Sequence, residues 1–113
     1  MKILHKNQSI ERNNSNVCVV TEYPAVDQNF DFAIVNISGR YPNEQRAVNT
    51  QCKEMAYVQE GIGKVVVNCV EYSLHAGDIV LIDINERFYW EGNLKLFICC
   101  NPAFDINQHQ LVE

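Results

Sequence analysis

The feature that most constrains this chain is a succession of short apolar segments, rich in β-branched residues, that alternate with turn-forming residues. The apolar segments are residues 17–23, 30–37, 53–59, 64–70, 79–82, 88–90 and 94–100. Glycines between them, such as Gly61, Gly77 and Gly92, predict turns at residues 60–63, 75–78 and 91–93. Many short strands at this spacing indicate a sandwich or a barrel, because closing a sheet removes its exposed edges. We therefore predict an all-β jelly-roll barrel, with any helix confined to the polar leader (residues 7–16) and the tail.

Length and charge limit the kind of protein this can be. The chain has 113 residues, of which 47% are hydrophobic and 20% charged. These values predict one globular domain, residues 1–113, that folds without disulfides or structural metal. The formal net charge is −5, whereas proteins that bind phosphate backbones or anionic membranes need a clustered basic surface. We expect neither nucleic acid nor a membrane as a partner.

The expected compartment follows from targeting signals and cysteine usage. The first residues lack the apolar core of a secretory signal, and no segment reaches the roughly 18 apolar residues of a membrane span. The cysteines are odd in number and form no Cys-x-x-Cys pair, which predicts reduced, packed thiols in a cytoplasmic protein. They are Cys18, Cys52, Cys69, Cys99 and Cys100.

Two segments resemble the cupin superfamily. Residues 54–65 contain Tyr-Val-Gln-Glu-Gly followed by a second glycine and are similar to the central hairpin of cupins. Residues 76–82, Ala-Gly-Asp-Ile-Val-Leu-Ile, are similar to the Gly-Asp opening of the second cupin motif. With Gly39 at the start of the first motif, the resemblance covers about residues 39–90. Residues 86–94 and 102–104 are in addition similar to a group of short single-domain bacterial cupins that resemble sugar-phosphate isomerase cupins.

The chain departs from the metal-binding pattern of that family. The resemblance implies a divalent metal held by two histidines and a glutamate of the first motif and a histidine of the second. Glu54 aligns with the glutamate, but Val48, Thr50 and Phe88 stand at the three histidine positions. Valine and phenylalanine offer no lone pair and a threonine hydroxyl is a weak ligand, so we expect a metal-free barrel without a cofactor.

A rebuilt metal site is the less favoured alternative. Cys52 and Glu54 lie two residues apart on one strand and so share a face, and His75 or His109 could supply a third ligand. We instead expect a packed thiol beside a hydrogen-bonded carboxylate, because His75 falls in a turn and His109 in the tail.

Side-chain alternation predicts the lining of the barrel. If Glu54 faces inward as the resemblance implies, Cys52 shares its face, and Phe88 and Trp90 share a face with each other. These four residues are the predicted ligand-binding residues. Burial would raise the pKa of Glu54 toward neutrality, which suits a general acid or base, while aromatic rings can stack on a sugar.

Three interpretations of function remain open. The favoured one is a binding module for a small carbohydrate-like or carboxylate-bearing ligand. The second is a metal-independent sugar isomerase or epimerase in which Glu54 moves the proton and Tyr57 or Tyr89 assists, although no histidine is expected inside the barrel. The third is a non-catalytic interaction protein whose barrel is filled by side chains. Under all three a homodimer is expected, since a short chain this apolar gains from burying an outer sheet face.

Overall fold

A computed structural model describes residues 1–113. The strands are β1 (Ile10–Ser15), β2 (Cys18–Glu22), β3 (Asp31–Tyr41), β4 (Arg46–Asn49), β5 (Lys53–Val67), β6 (Val70–His75), β7 (Ile79–Ile82), β8 (Arg87–Asn101) and β9 (His109–Val112). The only helical segments are two 3₁₀ turns, Lys6–Gln8 and Ile106–Gln108. Neither is long or apolar enough to span a membrane.

All nine strands belong to one antiparallel sheet that curls into a jelly-roll barrel. Strand β8 lies at its centre, with β3 along one edge and β5 along the other. Beyond β3 follow β2 and β1, and beyond β5 follow β6 and β7, while β4 joins the start of β8 and carries β9. The predicted all-β class and jelly-roll architecture are confirmed.

Burial alternates along the strands as an inward and an outward face require. On β5 the side chains of Glu54, Ala56 and Val58 are buried, whereas Met55 and Tyr57 between them are exposed. Strand β8 repeats the pattern, with its even-numbered residues from 94 to 100 buried. The inward residues of both sheet halves form a single hydrophobic core, and burying each large apolar side chain contributes about 1.5–3 kcal/mol.

The predicted turns at residues 60–63 and 91–93 are wrong, because both segments lie inside long continuous strands. Gly39, Gly92 and Gly63 are direct neighbours across β3, β8 and β5. A Cβ atom on Gly92 would lie 2.5 Å from the Cα atom of Gly63. These glycines thus allow three strands to approach closely where the sheet bends, a role that glycine has within strands as well as in turns.

The two helical turns lie at the leader and in the tail, where helix was expected, and both regions also contain a strand. The leader forms β1, and in the tail the carboxylate of Asp105 accepts a hydrogen bond from the Asn107 amide at 2.9 Å, beginning the second 3₁₀ turn. The tail then pairs with β4, which places His109 opposite Asn49. This long-range pairing brings the end of the chain to the barrel interior.

The close approach at Gly92 yields a stability prediction. Gly92→Ala should lower the free energy of unfolding by more than about 2 kcal/mol, since the new methyl group meets backbone atoms at a positive φ. Gly77→Ala is the matched control, because Gly77 also has a positive φ but open space around it, and should cost about 1 kcal/mol. Urea denaturation of both variants measures the difference; equal losses would contradict the close-packing account.

Candidate functional site

The barrel interior holds an open cavity of about 610 Å³. It is bounded by the inward faces of β1, β2, β3, β5 and β8 and by the tail. Its lining includes Arg12 and Glu22, whose side chains are exposed. Its volume is in the range of small-molecule sites, about 300–1,000 Å³. Side chains therefore do not fill the interior. The third interpretation of the sequence, a non-catalytic protein with a filled barrel, required that they do.

Aromatic side chains form much of the cavity wall. Phe88 and Trp90 are both buried and meet edge to face, with ring centroids 6.2 Å apart and an interplanar angle of 79°. Phe104 of the tail packs against the imidazole of His109 at 5.4 Å between centroids. The other aromatic lining residues are Tyr23, Phe32 and Tyr41. Such walls can stack on the flat or apolar face of a ring-shaped ligand.

Glu54 is the ionisable group placed deepest in the barrel wall. It is 7% exposed, and its Oε1 accepts a hydrogen bond from Nδ2 of Asn49 at 3.3 Å. Burial raises the pKa of Glu54 to about 7, although the Asn49 bond opposes part of this shift. Near neutral pH the carboxyl group is therefore present in both protonation states.

A buried hydrogen-bond network fixes the orientation of Asn49. The Oε1 atom of Gln108 accepts from the backbone amides of Gln51 and Cys52 at 3.1 and 3.3 Å. Because that oxygen accepts, Nε2 of Gln108 must donate, and it does so to Oδ1 of Asn49 at 3.1 Å. The Asn49 amide therefore has its oxygen toward Gln108 and its nitrogen toward Glu54.

The same oxygen fixes the tautomer of His109. Nδ1 of His109 lies 2.8 Å from Oδ1 of Asn49. Since that oxygen can only accept, Nδ1 carries the proton and Nε2 of the neutral ring has a free lone pair. Burial lowers the pKa of His109, which favours this neutral form. The ring lines the cavity, so the unprotonated Nε2 of His109 can accept a proton from a ligand there.

Other charged groups at the cavity are acidic or already paired. Arg12 forms a 2.8 Å salt bridge with Glu22 at the opening. Asp31 also lines the cavity, where burial raises its pKa and the Phe104 amide donates to its carboxylate at 3.1 Å. No lysine and no second arginine lines the cavity. An anionic ligand would thus find no unpaired cation.

The structure brings together three of the four predicted ligand-binding residues. Glu54, Phe88 and Trp90 all line the cavity. Cys52 is buried but lies outside the cavity lining, whereas Cys100, its neighbour on β8, does line the cavity. The prediction that Cys52 is a ligand-binding residue is therefore corrected, because Cys100 and not Cys52 lines the cavity.

The two tyrosines predicted to assist catalysis lie on the outside of the barrel. Tyr57 is 42% exposed and packs against Phe97, with ring centroids 6.2 Å apart. Tyr89 lies under the guanidinium group of Arg40, which is 3.7 Å from its ring centroid. Neither side chain reaches the cavity, because each occupies the outward position of its strand. Both assignments are corrected.

Sequence reasoning missed Tyr41 and Asn49, and it considered His109 only as a ligand of the less favoured metal site. Tyr41 lines the cavity, and burial raises its pKa. Asn49 is 1% exposed and follows the buried apolar residues Ala47 and Val48 on β4, which is a signal of a polar residue with a buried partner. His109 lacked such a signal, because its position depends on the pairing of β9 with β4. The expectation of a barrel without histidine is wrong.

The residues present do not fit the divalent metal of metal-dependent cupins. Phe88 lines the cavity without a donor atom, and the hydroxyl of Thr50 donates to the carbonyl of Gln108 at 2.9 Å. No group of three or more His, Cys, Asp or Glu side chains lies close enough to hold a metal ion. Glu54 and His109 instead bind the same amide from opposite ends.

Neither known protein-family profiles nor curated proteins match the sequence. Solved structures do match the fold. An RmlC-like cupin from Shewanella frigidimarina superposes with a TM-score of 0.76 at 14% identity, covering 95% of this chain and 96% of that one. The chain has the cupin fold. The predicted superfamily resemblance is confirmed at this level.

Two further cupin neighbours superpose over the full length of this chain. Pac13, described as a unique nucleoside dehydratase, has a TM-score of 0.90 at 20% identity and covers 100% of this chain and 92% of its own. A variant of this Streptomyces protein with uridine has a TM-score of 0.87 at 21% identity, covering 96% and 88%. Ectoine synthase from P. lautus has a TM-score of 0.71 at 15% identity, covering 100% and 91%.

The raised pKa of Glu54 predicts a pH-dependent stability. Between its ordinary value of 4.5 and about 7, the folded state binds more protons at Glu54 than the unfolded state. The free energy of unfolding should therefore fall as pH rises through this window, by about 3 kcal/mol relative to Glu54→Gln. Urea titrations of the wild type and of Glu54→Gln from pH 4 to 8 measure both free energies of unfolding. If the difference between the two proteins did not change with pH, the raised pKa would be refuted.

Proposed function

We propose that this cupin is a metal-independent acid–base enzyme that acts on a small, uncharged, ring-bearing compound of the nucleoside or neutral-sugar type. The observation that supports this most is the pairing of Glu54 and His109 through Asn49 beside an open aromatic cavity. The carboxyl group of Glu54 holds a proton near pH 7, and the imidazole of His109 is a neutral base. Proton transfer requires one acid and one base of this kind.

The chemistry assigned to the pair is removal of a proton from carbon and its delivery elsewhere. For this step the substrate must carry an aldehyde or keto group beside a C–H bond, with a hydroxyl on the next carbon. Nε2 of His109 takes the proton of that C–H bond, and protonated Glu54 or the Tyr41 hydroxyl protonates the leaving hydroxyl. The hydroxyl departs as water, and the C–H electron pair becomes the new double bond. If the proton returns to carbon instead, the same groups perform the isomerisation or epimerisation considered from the sequence.

The charges at the cavity support an uncharged ligand. The lining contains Glu22, Asp31 and Glu54, while its arginine, Arg12, is engaged by Glu22. A phosphate or carboxylate would be desolvated beside carboxylates with no free cation to balance it. We therefore favour a neutral nucleoside or sugar over the carboxylate-bearing ligand that the sequence left open.

The similarity in fold to solved structures supports the choice of a nucleoside as a probe. The similarity of the whole fold to a nucleoside dehydratase, one form of which is described with uridine, makes uridine a suitable probe. The five free cysteines support a cytoplasmic location for this activity. A binding module without turnover is the second candidate, since the aromatic wall and cavity support binding alone.

Ligand charge can be tested by thermal shift and calorimetry. Uridine should raise the melting temperature, with about 2.7 kcal/mol of added stability at a hundredfold excess over Kd, and uridine 5′-monophosphate should not. Glu22→Gln, which frees Arg12 at the opening, should improve binding of the monophosphate selectively. Tighter binding of the monophosphate by the wild type would contradict the proposed neutral ligand.

Catalysis can be tested by solvent exchange. Compounds that shift the melt, screened among nucleosides, aldoses and ketoses, are incubated in D₂O and followed by NMR for deuterium at carbon or for loss of water. His109→Gln and Glu54→Gln should each slow this reaction by about 10²–10⁴-fold while the ligand still binds. Tyr89→Phe is the control and should react normally. Binding without exchange in the wild type would favour the binding module.

A further inference from the structure

One carboxyl group of the cavity has no part in the proton transfer described above. Asp31 is the first residue of β3 and is half-buried. It lines the cavity together with Ala33 and Val35, which follow it at intervals of two residues and so share its inward face. The side chain of Asp31 therefore faces the site through the same alternation that turns Glu54 inward on β5.

Asp31 and Glu54 lie in one row across the sheet. Cys100 of β8 is paired with Asp31 of β3 on one side and with Glu54 of β5 on the other. Two strand spacings of about 4.8 Å put the two acidic residues roughly 10 Å apart at the backbone, and inward side chains of a curled sheet converge. Carboxyl groups that flank a sugar ring in glycosidases are about 5–9.5 Å apart. The row therefore has room for one such ring between its ends.

The Asp31 carboxylate retains acceptor sites for a ligand. A carboxylate can accept about four hydrogen bonds, and the amide of Phe104 donates one of them to Oδ2 at 3.1 Å. None of the salt bridges of the chain involves Asp31. A half-buried carboxylate without a cation is costly unless hydrogen-bond donors satisfy it. Hydroxyl groups are the donors that a neutral sugar offers.

We propose that Asp31 determines specificity for a hydroxylated sugar ring, because its carboxylate accepts a hydrogen bond from a hydroxyl group that the reaction leaves in place. This inference rests on the proposed function, since it divides one substrate between the two ends of the row. The reacting carbon lies at Glu54 and His109, and the retained hydroxyl lies at Asp31. Hydrogen bonds to a charged acceptor are about twice as strong as neutral ones, so the contact discriminates against an analogue that lacks this hydroxyl.

Asp31 also makes a structural contact that a test must preserve. The Phe104 amide of the tail needs its acceptor, and an asparagine at position 31 supplies one through its side-chain oxygen. The tail has a further attachment nearby, because the amide of Ala103 donates to the carbonyl of Gln28 at 3.2 Å. Asp31→Asn therefore removes the charge of the carboxylate while the tail stays in place.

Calorimetric titration with uridine, 2′-deoxyuridine and 3′-deoxyuridine tests this role. In the wild type, loss of at least one of the two hydroxyl groups should raise Kd by about 10- to 100-fold. Asp31→Asn should raise the Kd of uridine by a similar factor and leave the Kd of that deoxy analogue unchanged. Asp27→Asn is the matched control, because the Asp27 carboxylate also accepts one backbone amide, that of Asn29 at 2.7 Å, but lies outside the cavity lining. It should bind all three compounds as the wild type does.

The pattern across the three compounds separates specificity from a structural role. If Asp31 only held the tail, Asp31→Asn would weaken all three compounds equally, and this result would overturn the inference. Equal binding of the three compounds by the wild type would overturn it as well, while leaving the proposed catalysis intact. Binding that depends on Asp31 without exchange at carbon would contradict the proposed catalysis and leave the role of Asp31 standing. A wild type that binds none of the three would overturn both the nucleoside ligand and the role of Asp31.

Discussion

The site depends on one hydrogen bond pattern that begins at the backbone. The backbone amides of Gln51 and Cys52 donate hydrogen bonds to the side-chain oxygen of Gln108. These two bonds determine which atom of each following side chain donates and which accepts. Asn49 must offer its oxygen to His109 and its nitrogen to Glu54. A single buried amide thereby sets the tautomer of a base and contacts the carboxyl group that has a raised pKa. Breaking any one of these hydrogen bonds would leave a buried polar group without a partner. The cost in free energy therefore keeps the network intact.

The fold supplies this network by joining distant parts of the chain. Asn49 ends β4, Glu54 is the second residue of β5 and His109 begins β9. The glycine row at Gly39, Gly92 and Gly63 lets the long strands bend, so that inward residues of both halves face one cavity. The inner face of these strands therefore provides the groups for the proposed chemistry.

Much of the architecture follows from local pattern, and much of the site does not. The cupin resemblance implies an inward Glu54, and alternation puts Phe88 and Trp90 on one face of β8; the structure has all three buried. The same alternation places Tyr57 and Tyr89 outward, because each lies an odd number of residues from an inward neighbour. Glycines within strands were mistaken for turns, because a glycine that permits close strand approach and one that permits a turn look alike in sequence. His109 could not be placed, since its position depends on the pairing of β9 with β4, whose partners are about 60 residues apart.

The proposed proton transfer requires that His109 present an unprotonated Nε2 to the cavity while Asn49 holds its Nδ1 proton. Nitrogen-15 NMR of the imidazole measures the tautomer directly. We expect a neutral ring at pH 7 with the proton on Nδ1, and loss of this fixed tautomer in Asn49→Leu. A ring protonated on Nε2, or charged at pH 7, would contradict it.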